Sequence, residues 1–230
     1  MDRQQEAERF GSAAGLQAVP ALRRLAERLE AGGVAAARRD GWSWQEIGDA
    51  LGVTRQSVHA KHRQGGEAPI GARHEGHRAG AAYSLGATYL DAAEEALRLG
   101  DRKVGAEHLL LALLHVPECR RSLGCDLDAA RAALEALDRE ALQAVGVDVR
   151  PGAGEGAPPA HAERLPVTPG AKQALASLRR RARGERLGPE HLLAALRAVG
   201  AKDPVAALLD RLDAGRSAAE RANGREDEQR

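Results

Sequence analysis

The stretch VGAEHLLLALL at 104–114 recurs as LGPEHLLAALR at 187–197, and this repetition decides the architecture of the second half of the chain. An amphipathic stretch precedes each copy, and another follows it. Self-similarity of this kind indicates that one helical unit was duplicated and that its copies pack together. Because leucines occupy adjacent positions and positions one turn apart, each copy is predicted to be a helix buried on more than one side.

The composition of the 230-residue chain favours helices throughout. Hydrophobic residues make up 43% of the chain and aromatic residues only 2%, so leucine, valine and alanine must fill the core. Such a core suits closely packed helices better than a sheet, which is usually rich in β-branched and aromatic residues. We therefore predict an all-α protein with no strand longer than a few residues.

The composition and periodicity of the sequence divide the chain into four parts. Helical periodicity in 1–64 gives way to a stretch rich in glycine and charge, which predicts a flexible linker at 65–80. The repeat occupies 81–222, as copies at 81–146 and 165–222 separated by a segment rich in glycine and proline. The last residues, 223–230, are predicted to form a disordered tail.

Charge and cysteine content indicate a cytoplasmic protein without a membrane segment. The N-terminus, MDRQQEAERF, has no apolar core of a signal peptide, and no apolar run approaches the length of a membrane span. The formal net charge is +1, so any nucleic-acid site must be a local basic patch. Cys119 and Cys125 are the two cysteines, which fits a reducing compartment. They are expected to be small buried apolar groups, with a redox-sensing pair as the alternative.

The segment GWSWQEIGDALGVTRQSVHAKH at 41–62 predicts two short helices joined by a turn. Ser43 and Glu46 have the spacing of a capping box, which starts the first helix at the next residue, tryptophan. Gly48 is a small residue where a second helix must approach closely, and Gly52 suits the left-handed conformation that ends a helix. Thr54 is a good N-cap for the second helix.

The two helices are predicted to bury one face and to present another to solvent. Ile47 and Leu51 share the inward face of the first helix, and Val53 and Val58 point inward from the turn and the second helix. The outward residues are expected to be Arg55, Gln56, His59 and Arg63.

This pattern is that of a helix-turn-helix, whose second helix enters the major groove of DNA. Arginine can bond guanine in a bidentate manner and glutamine can bond adenine, while hydroxyl and basic groups hold phosphates. The predicted contacts with double-stranded DNA are Thr54, Arg55, Gln56, Ser57, His59, Lys61 and Arg63. The alternative is a helical hairpin that only packs.

The same segment resembles the helix-turn-helix of small bacterial regulators. With the preceding helix, LQAVPALRRLAERLEAG, the resemblance covers about residues 16–64. Because one such unit reads only a few base pairs, a homodimer on a palindromic or repeated site is expected.

The repeated half resembles another family, the Clp N-terminal domain (Clp repeat) of ClpA/ClpC-type protein unfoldases. Residues 90–114 are similar to its first repeat, and LPVTPGAKQAL at 165–175, followed by LGPEHLLAALR, is similar to its second. The resemblance implies a pseudo-twofold helical domain over 81–222 that binds substrates or adaptors. No phosphate-binding loop G-x-x-x-x-G-K-[ST] occurs in the chain, so the resemblance implies a binding module without the ATPase motor.

The resemblance also implies ligand positions in this domain. Glu107 and Glu190 match glutamates that bind phosphorylated arginine in related domains, and a carboxylate can accept paired guanidinium N–H bonds. Ala81 and Val167 match the positions that line a peptide groove in relatives. The alternative for both glutamates is that they complement the dipole of their own helix. The histidines that follow them, His108 and His191, are expected to pack between helices.

Other groupings do not predict a metal, a cofactor or an enzyme. Two H-x-x-H pairs could supply nitrogen ligands, but one lies in the predicted linker without a cysteine nearby; they are His59, His62, His74 and His77. The arginine-rich run at 177–188 is read as a solvated helix face, with a phosphate contact or an acidic partner as alternatives. The chain has no G-x-S-x-G or H-E-x-x-H motif.

Together these features predict a DNA-binding transcriptional regulator whose Clp-like domain senses a ligand. The ligand would be a peptide, a degron or a small molecule that targets the unfoldase, and the regulated genes would be protease genes or the protein's own gene. The alternative is a non-catalytic adaptor or decoy for unfoldase substrates or ligands. A nonspecific nucleoid-associated protein is a third reading, which the near-neutral net charge disfavours.

Overall fold

A computed structural model describes residues 13–62, 83–149, 165–181 and 187–228, and these residues are mostly helical. Within them, regular structure is limited to α-helices and one isolated parallel bridge between Val104 and Val167. This confirms the all-α prediction. No helix in the described part of the chain combines the length and the apolar character needed to cross a membrane. The helices are α1 (Ala13–Arg39), α2 (Trp44–Leu51), α3 (Arg55–His62), α4 (Leu85–Leu99), α5 (Ala106–Leu113), α6 (Pro117–Leu123), α7 (Leu127–Ala144), α8 (Pro169–Arg181), α9 (Pro189–Arg197) and α10 (Pro204–Glu228).

The chain forms two compact units. The N-terminal unit comprises residues 1–73, 97–102 and 138–164, and the C-terminal unit comprises 74–96, 103–137 and 165–230. The N-terminal unit therefore includes two segments, 97–102 and 138–164, from the region 81–222 that was assigned to the repeat, and the sequence did not suggest this. The predicted linker, 65–80, lies outside the described residues.

Two helices extend further than the sequence suggested. The first was expected to end near Gly32, but α1 continues through Gly33 to Arg39. The cost of two glycines is modest, and Val34 in the following turn is buried, so tertiary packing stabilises the continuation. The last helix, α10, runs to Glu228, through most of the segment predicted to be a disordered tail. Propagation of a helix that is already nucleated adds one hydrogen bond per residue, which favours this extension.

A small apolar cluster joins α1, α2 and α3 in the N-terminal unit. Val34, Ile47 and Val58 are buried in it, and Ala37 and Trp44 pack against it. The core is small, and aliphatic side chains from three helices supply most of it. This arrangement gives α3 a firm support on its inner side.

Leu51 and Val53 were expected to face inward, and that expectation was wrong. Their exposed fractions are 41% and 44%. The backbone of Val53 contacts α2, because its N–H donates to the carbonyl oxygen of Gly48 at 2.9 Å. The side chain is therefore left on the outer side of the turn.

A buried arginine ties α1 to the two added segments of the N-terminal unit. The side chain of Arg24 is 3% exposed and donates from Nε to Asp138 at 2.7 Å and from Nη1 to Asp101 at 2.9 Å. Its Nη2 donates to the other oxygen of Asp138. Nothing in the local sequence marked this residue, because both partners are distant along the chain.

The C-terminal unit is organised around α5, whose residues are all buried. This helix contacts α8, α9 and α10. The second copy, α9, buries its leucines but exposes Ala194 and Arg197. The prediction of burial on several sides is therefore confirmed for the first copy, whereas the second keeps one face in solvent.

Candidate functional site

The start and end of α2 are held by interactions within the segment 43–53. The backbone N–H of Ser43 donates to Glu46 Oε2 at 2.7 Å, and the N–H of Glu46 donates to Ser43 Oγ at 3.2 Å, which is the predicted capping box. The pKa of Glu46 is lowered by the bond from the Ser43 backbone and then by the Ser43 hydroxyl. Gly52 has a φ of 68° and ends the helix in the left-handed conformation, as predicted.

Gly48 allows the start of α3 to lie directly on α2. A Cβ atom placed on Gly48 would lie 2.8 Å from the carbonyl oxygen of Val53 and 3.2 Å from the backbone nitrogen of Arg55. Both atoms belong to the backbone and cannot move aside as the end of a long side chain can. The predicted need for a small residue at this position is therefore confirmed, and it sets the position of α3.

The N-cap and first turn of α3 present four polar side chains to solvent. Thr54 Oγ1 accepts a hydrogen bond from the N–H of Ser57 at 3.1 Å, which confirms the predicted N-cap. The fourth residue of the helix, Val58, is 1% exposed and anchors the inner side. The exposed group brought together at the helix start is Thr54, Arg55, Gln56 and Ser57.

His59 and Lys61 lie one turn beyond Arg55 and Ser57 on α3, and both are less exposed than that group. The ring of His59 is half-buried and packs edge-on against Trp44, with centroids 5.3 Å apart. The ammonium of Lys61 lies 2.6 Å from a carboxylate oxygen of Glu30 and 2.9 Å from one of Glu27. The outward position expected for His59 is therefore wrong, since α2 takes up its ring. Arg63 lies outside the described residues.

Glu30 of α1 joins the last turn of α3 to the long helix. His62 Nε2 lies 2.9 Å from one of its carboxylate oxygens, and Lys61 contacts the other. Burial raises the pKa of Glu30, but the hydrogen bonds from Lys61 and His62 outweigh burial and the pKa is lowered. Because the pKa of Glu30 is lowered in the folded chain, its contacts with Lys61 and His62 stabilise the fold while Glu30 is ionised. This stabilisation should be lost when the pH falls below the ordinary carboxyl range and Glu30 becomes protonated.

Arg38 also holds the connection between α1 and α2, a role that the sequence did not predict. Its guanidinium lies 4.8 Å from the ring centroid of Trp44 and donates to the carbonyl oxygen of Trp42. The side chain thereby links the last turn of α1 to the start of α2. Its position four residues before a tryptophan was the one available signal, and that signal is weak.

Of the four histidines considered as ligands, His74 and His77 lie outside the described residues.

The two copies of the repeat begin their central helix in the same way. The N–H of Gly105 donates to His108 Nδ1 at 2.8 Å, and the N–H of Gly188 donates to His191 Nδ1 at 3.1 Å. Each histidine therefore accepts a bond at Nδ1 and caps its own helix. This local role is more specific than the packing role predicted for them.

The glutamates before these histidines fold back over the glycine that precedes their helix. A Cβ atom on Gly105 would lie 2.3 Å from Glu107 Oε2, and one on Gly188 would lie 2.0 Å from Glu190 Oε1. Both carboxylates thus lie at the positive end of a helix dipole. They differ in access: Glu107 is 6% exposed, whereas the side chain of Glu190 is 69% exposed.

Val167 lies where the two copies of the repeat meet. The N–H of Val104 donates to the carbonyl oxygen of Pro166 at 2.8 Å, and the N–H of Thr168 donates to the carbonyl oxygen of Val104 at 2.9 Å. These bonds form the parallel bridge, and the side chain of Val167 is half-buried beside it. Ala81, its predicted counterpart, lies outside the described residues.

Asp203 forms a second carboxylate near Glu107. Its Oδ1 accepts a bond from the N–H of Val205 at 3.1 Å and starts α10. Burial raises the pKa of Asp203, the bond from Val205 lowers it, and the charge of Glu107 raises it further, with a net increase. Repulsion between like charges is thus part of the environment of Glu107.

Replacing Glu107 by Gln should lower the pKa of Asp203. The substitution removes the negative charge that disfavours ionisation of Asp203, while it keeps the shape of the side chain. A titration of the side-chain carboxyl of Asp203 by carbon-13 NMR measures the change. Glu190→Gln is the matched control, because Glu190 does not contribute to the raised pKa of Asp203. Equal shifts in both variants would contradict this assignment.

Both cysteines are free thiols. Cys119 is buried, and burial, followed by the charges of Glu118 and Glu190, raises the pKa of its thiol to about 11. Burial and the charge of Asp126 also raise the pKa of Cys125. A raised pKa reduces the reactive thiolate near neutral pH, so these environments favour the prediction of apolar groups over a redox pair.

Comparison of the sequence with protein-family models finds no matching family, and comparison with curated proteins finds no match. The N-terminal unit offers a solvent-facing helix start with hydroxyl, guanidinium and amide groups. The C-terminal unit offers two helix starts with the same glycine, glutamate and histidine geometry, of which one glutamate is accessible.

Proposed function

We propose that the protein is a DNA-binding transcriptional regulator in which α2 and α3 act as a helix-turn-helix. The observation that carries this proposal is the exposed polar start of α3, held in place from behind by Val58 and by the close approach at Gly48. An exposed helix start with firm support is what insertion into the major groove requires.

The chemistry of the exposed group suits double-stranded DNA. Arg55 can donate two hydrogen bonds to guanine, and Gln56 can pair with adenine. Thr54 and Ser57 add hydroxyl groups at the positive end of the helix, where a phosphate is favoured. We assign Lys61 and His59 to positioning of α3, because α1 and α2 already hold these side chains.

We further propose that the C-terminal unit is a Clp-N-like sensing domain. Its support is the resemblance of the two repeats, together with the common Gly–Glu–His geometry at the start of α5 and α9. Glu190 is the carboxylate open to a peptide, a degron or a small molecule, whereas Glu107 serves the structure of its own helix. Control of protease genes or of the protein's own gene follows from the resemblance to a protease component.

The test is selection of genomic DNA fragments by the purified full-length protein at physiological salt. The wild type should enrich a motif with two half-sites. The double variant Arg55→Ala, Gln56→Ala should bind that motif about tenfold or more weakly, because each good bidentate contact contributes about 1–3 kcal/mol of discrimination.

The matched control is the double variant Arg120→Ala, Gln143→Ala, which removes the same two residue types from exposed positions elsewhere. It should bind the motif as the wild type does. No enrichment by the wild type, or enrichment that the Arg55 and Gln56 variant keeps, would refute the proposal and favour an adaptor or decoy for unfoldase substrates.

A further inference from the structure

α1 has an apolar face that no other described element covers. Leu29, which lies on this face, is one of the most exposed large hydrophobic side chains of the described residues, at 53%. Two other faces of α1 are occupied. One carries Val34 and packs with α2 and α3, and the other carries Arg24 and binds Asp101 and Asp138.

The uncovered face follows the spacing of a coiled-coil seam. Uncharged residues recur at alternating intervals of three and four along it, which is the heptad pattern that keeps one stripe facing a partner helix. Three of them, Ala26, Leu29 and Gly33, are exposed, and the others are half-buried. We call this stripe the α1 seam; its members are Val19, Leu22, Ala26, Leu29, Gly33 and Ala36.

We propose that the α1 seam pairs with the α1 seam of a second copy of this chain, with the two helices antiparallel. With 27 residues, α1 is about 40 Å long, enough for several layers of contact. In the antiparallel arrangement Ala26 opposes Leu29 of the other copy, and each layer combines a larger side chain with a smaller one. The remaining layers are Leu22 with Gly33 and Val19 with Ala36.

Size complementarity selects this arrangement over a parallel one. In a parallel pair, equivalent residues meet, so Ala26 would oppose Ala26 and Gly33 would oppose Gly33. Such layers of two small residues leave voids, which are unfavourable in a packed interface. The antiparallel pair avoids them because each of its layers combines a larger residue with a smaller one.

Charge along the edge of the seam agrees with the antiparallel pairing. Arg23 and Glu30 each follow a seam residue, and Arg23 is exposed. In the antiparallel pair, Arg23 of one copy lies beside Glu30 of the other, so unlike charges meet on both sides of the twofold axis. Glu30 remains bound to Lys61 and His62, so this contact would extend an existing ionic group.

This inference rests on the proposed function for its choice of partner. One helix-turn-helix reads only a few base pairs, so a DNA site is incomplete without a second copy. The α1 seam lies on the helix that also supports α3. Pairing through it would therefore fix the spacing of the two recognition helices.

The test is sedimentation equilibrium of the full chain without DNA. The wild type should be a dimer at micromolar concentration. Ala26→Glu should weaken the dimer about tenfold or more, because it buries a charge in the seam. Ala35→Glu is the matched control, since Ala35 is also exposed on α1 but lies off the seam, and it should leave the dimer unchanged.

Mixing two variants tests the orientation. Ala26→Glu and Leu29→Lys should each form a weakened homodimer alone and should form a tighter heterodimer together, because the new glutamate opposes the new lysine only in the antiparallel pair. A monomeric wild type, an equal effect of Ala35→Glu, or no heterodimer would overturn the proposal. Because DNA is absent, these outcomes are separate from the DNA-selection test, so either proposal can fail without the other.

Discussion

Replacing Arg24 by Met should lower the free energy of unfolding of the N-terminal unit by about 3 kcal/mol, the low end for breaking a buried ion pair. The guanidinium is 3% exposed, and its partners Asp101 and Asp138 are 19% and 13% exposed. Methionine leaves both carboxylates poorly hydrated and without their cation. Urea unfolding followed by tryptophan fluorescence measures the loss, because both tryptophans of the chain, Trp42 and Trp44, lie in this unit.

The neighbouring residue provides the control. Arg23→Met makes the same chemical change at an exposed position, so it should alter stability by less than about 0.5 kcal/mol. The triple variant Arg24→Met, Asp101→Asn, Asp138→Asn should recover part of the loss, since it leaves no uncompensated charge. A stability for Arg24→Met equal to that of Arg23→Met would refute the role assigned to the buried pair.

Replacing Gly48 by Val should destabilise the packing of α3 on α2 by about 1–3 kcal/mol. The new side chain would meet the backbone of Val53 and Arg55, at 2.8 Å and 3.2 Å from its Cβ, and backbone atoms cannot move aside as the end of a long side chain can. The same tryptophan fluorescence reports the change, because Trp44 packs against the cluster that supports α3. Under the proposed function, DNA binding should fall with it.

Ala50→Val is the control for this substitution. It places the same isopropyl group on the exposed side of α2, so only the small difference in helix propensity should be lost, well under about 1 kcal/mol. Equal destabilisation by Gly48→Val and Ala50→Val would mean that the close approach of the two helices is unimportant for stability.

The sequence predicted the α2–α3 segment well, apart from the directions of Leu51, Val53 and His59. The partners of Ser43, Gly48 and Thr54 all lie within a few residues, so local spacing and capping chemistry determine their contacts. Leu51 and Val53 were misplaced because their exposure depends on how the turn sits on the helices around it. A periodic pattern identifies a face of a helix, but it does not say whether another element covers that face.

Contacts between distant residues were beyond sequence reasoning. Arg24 is 77 and 114 residues away from its two partners, and no local pattern selects them from the other aspartates of the chain. Lys61 was assigned to phosphate because it lies on the second helix of the motif. The nearer of its two carboxylate partners, Glu30, is 31 residues away on α1, and only the packing of α1 against α3 brings the two together.

The equivalent glutamates Glu107 and Glu190 show which features the sequence determined and which only the tertiary structure decided. The sequence alone determined that Glu107 and Glu190 begin equivalent helices, because glycine, glutamate and histidine at this spacing produce the same local hydrogen bonds in both copies. Only the tertiary structure decided that Glu107 is buried and Glu190 is exposed. The physical reason is that a helix start depends on neighbouring backbone groups, whereas access to solvent depends on which distant helices pack against it.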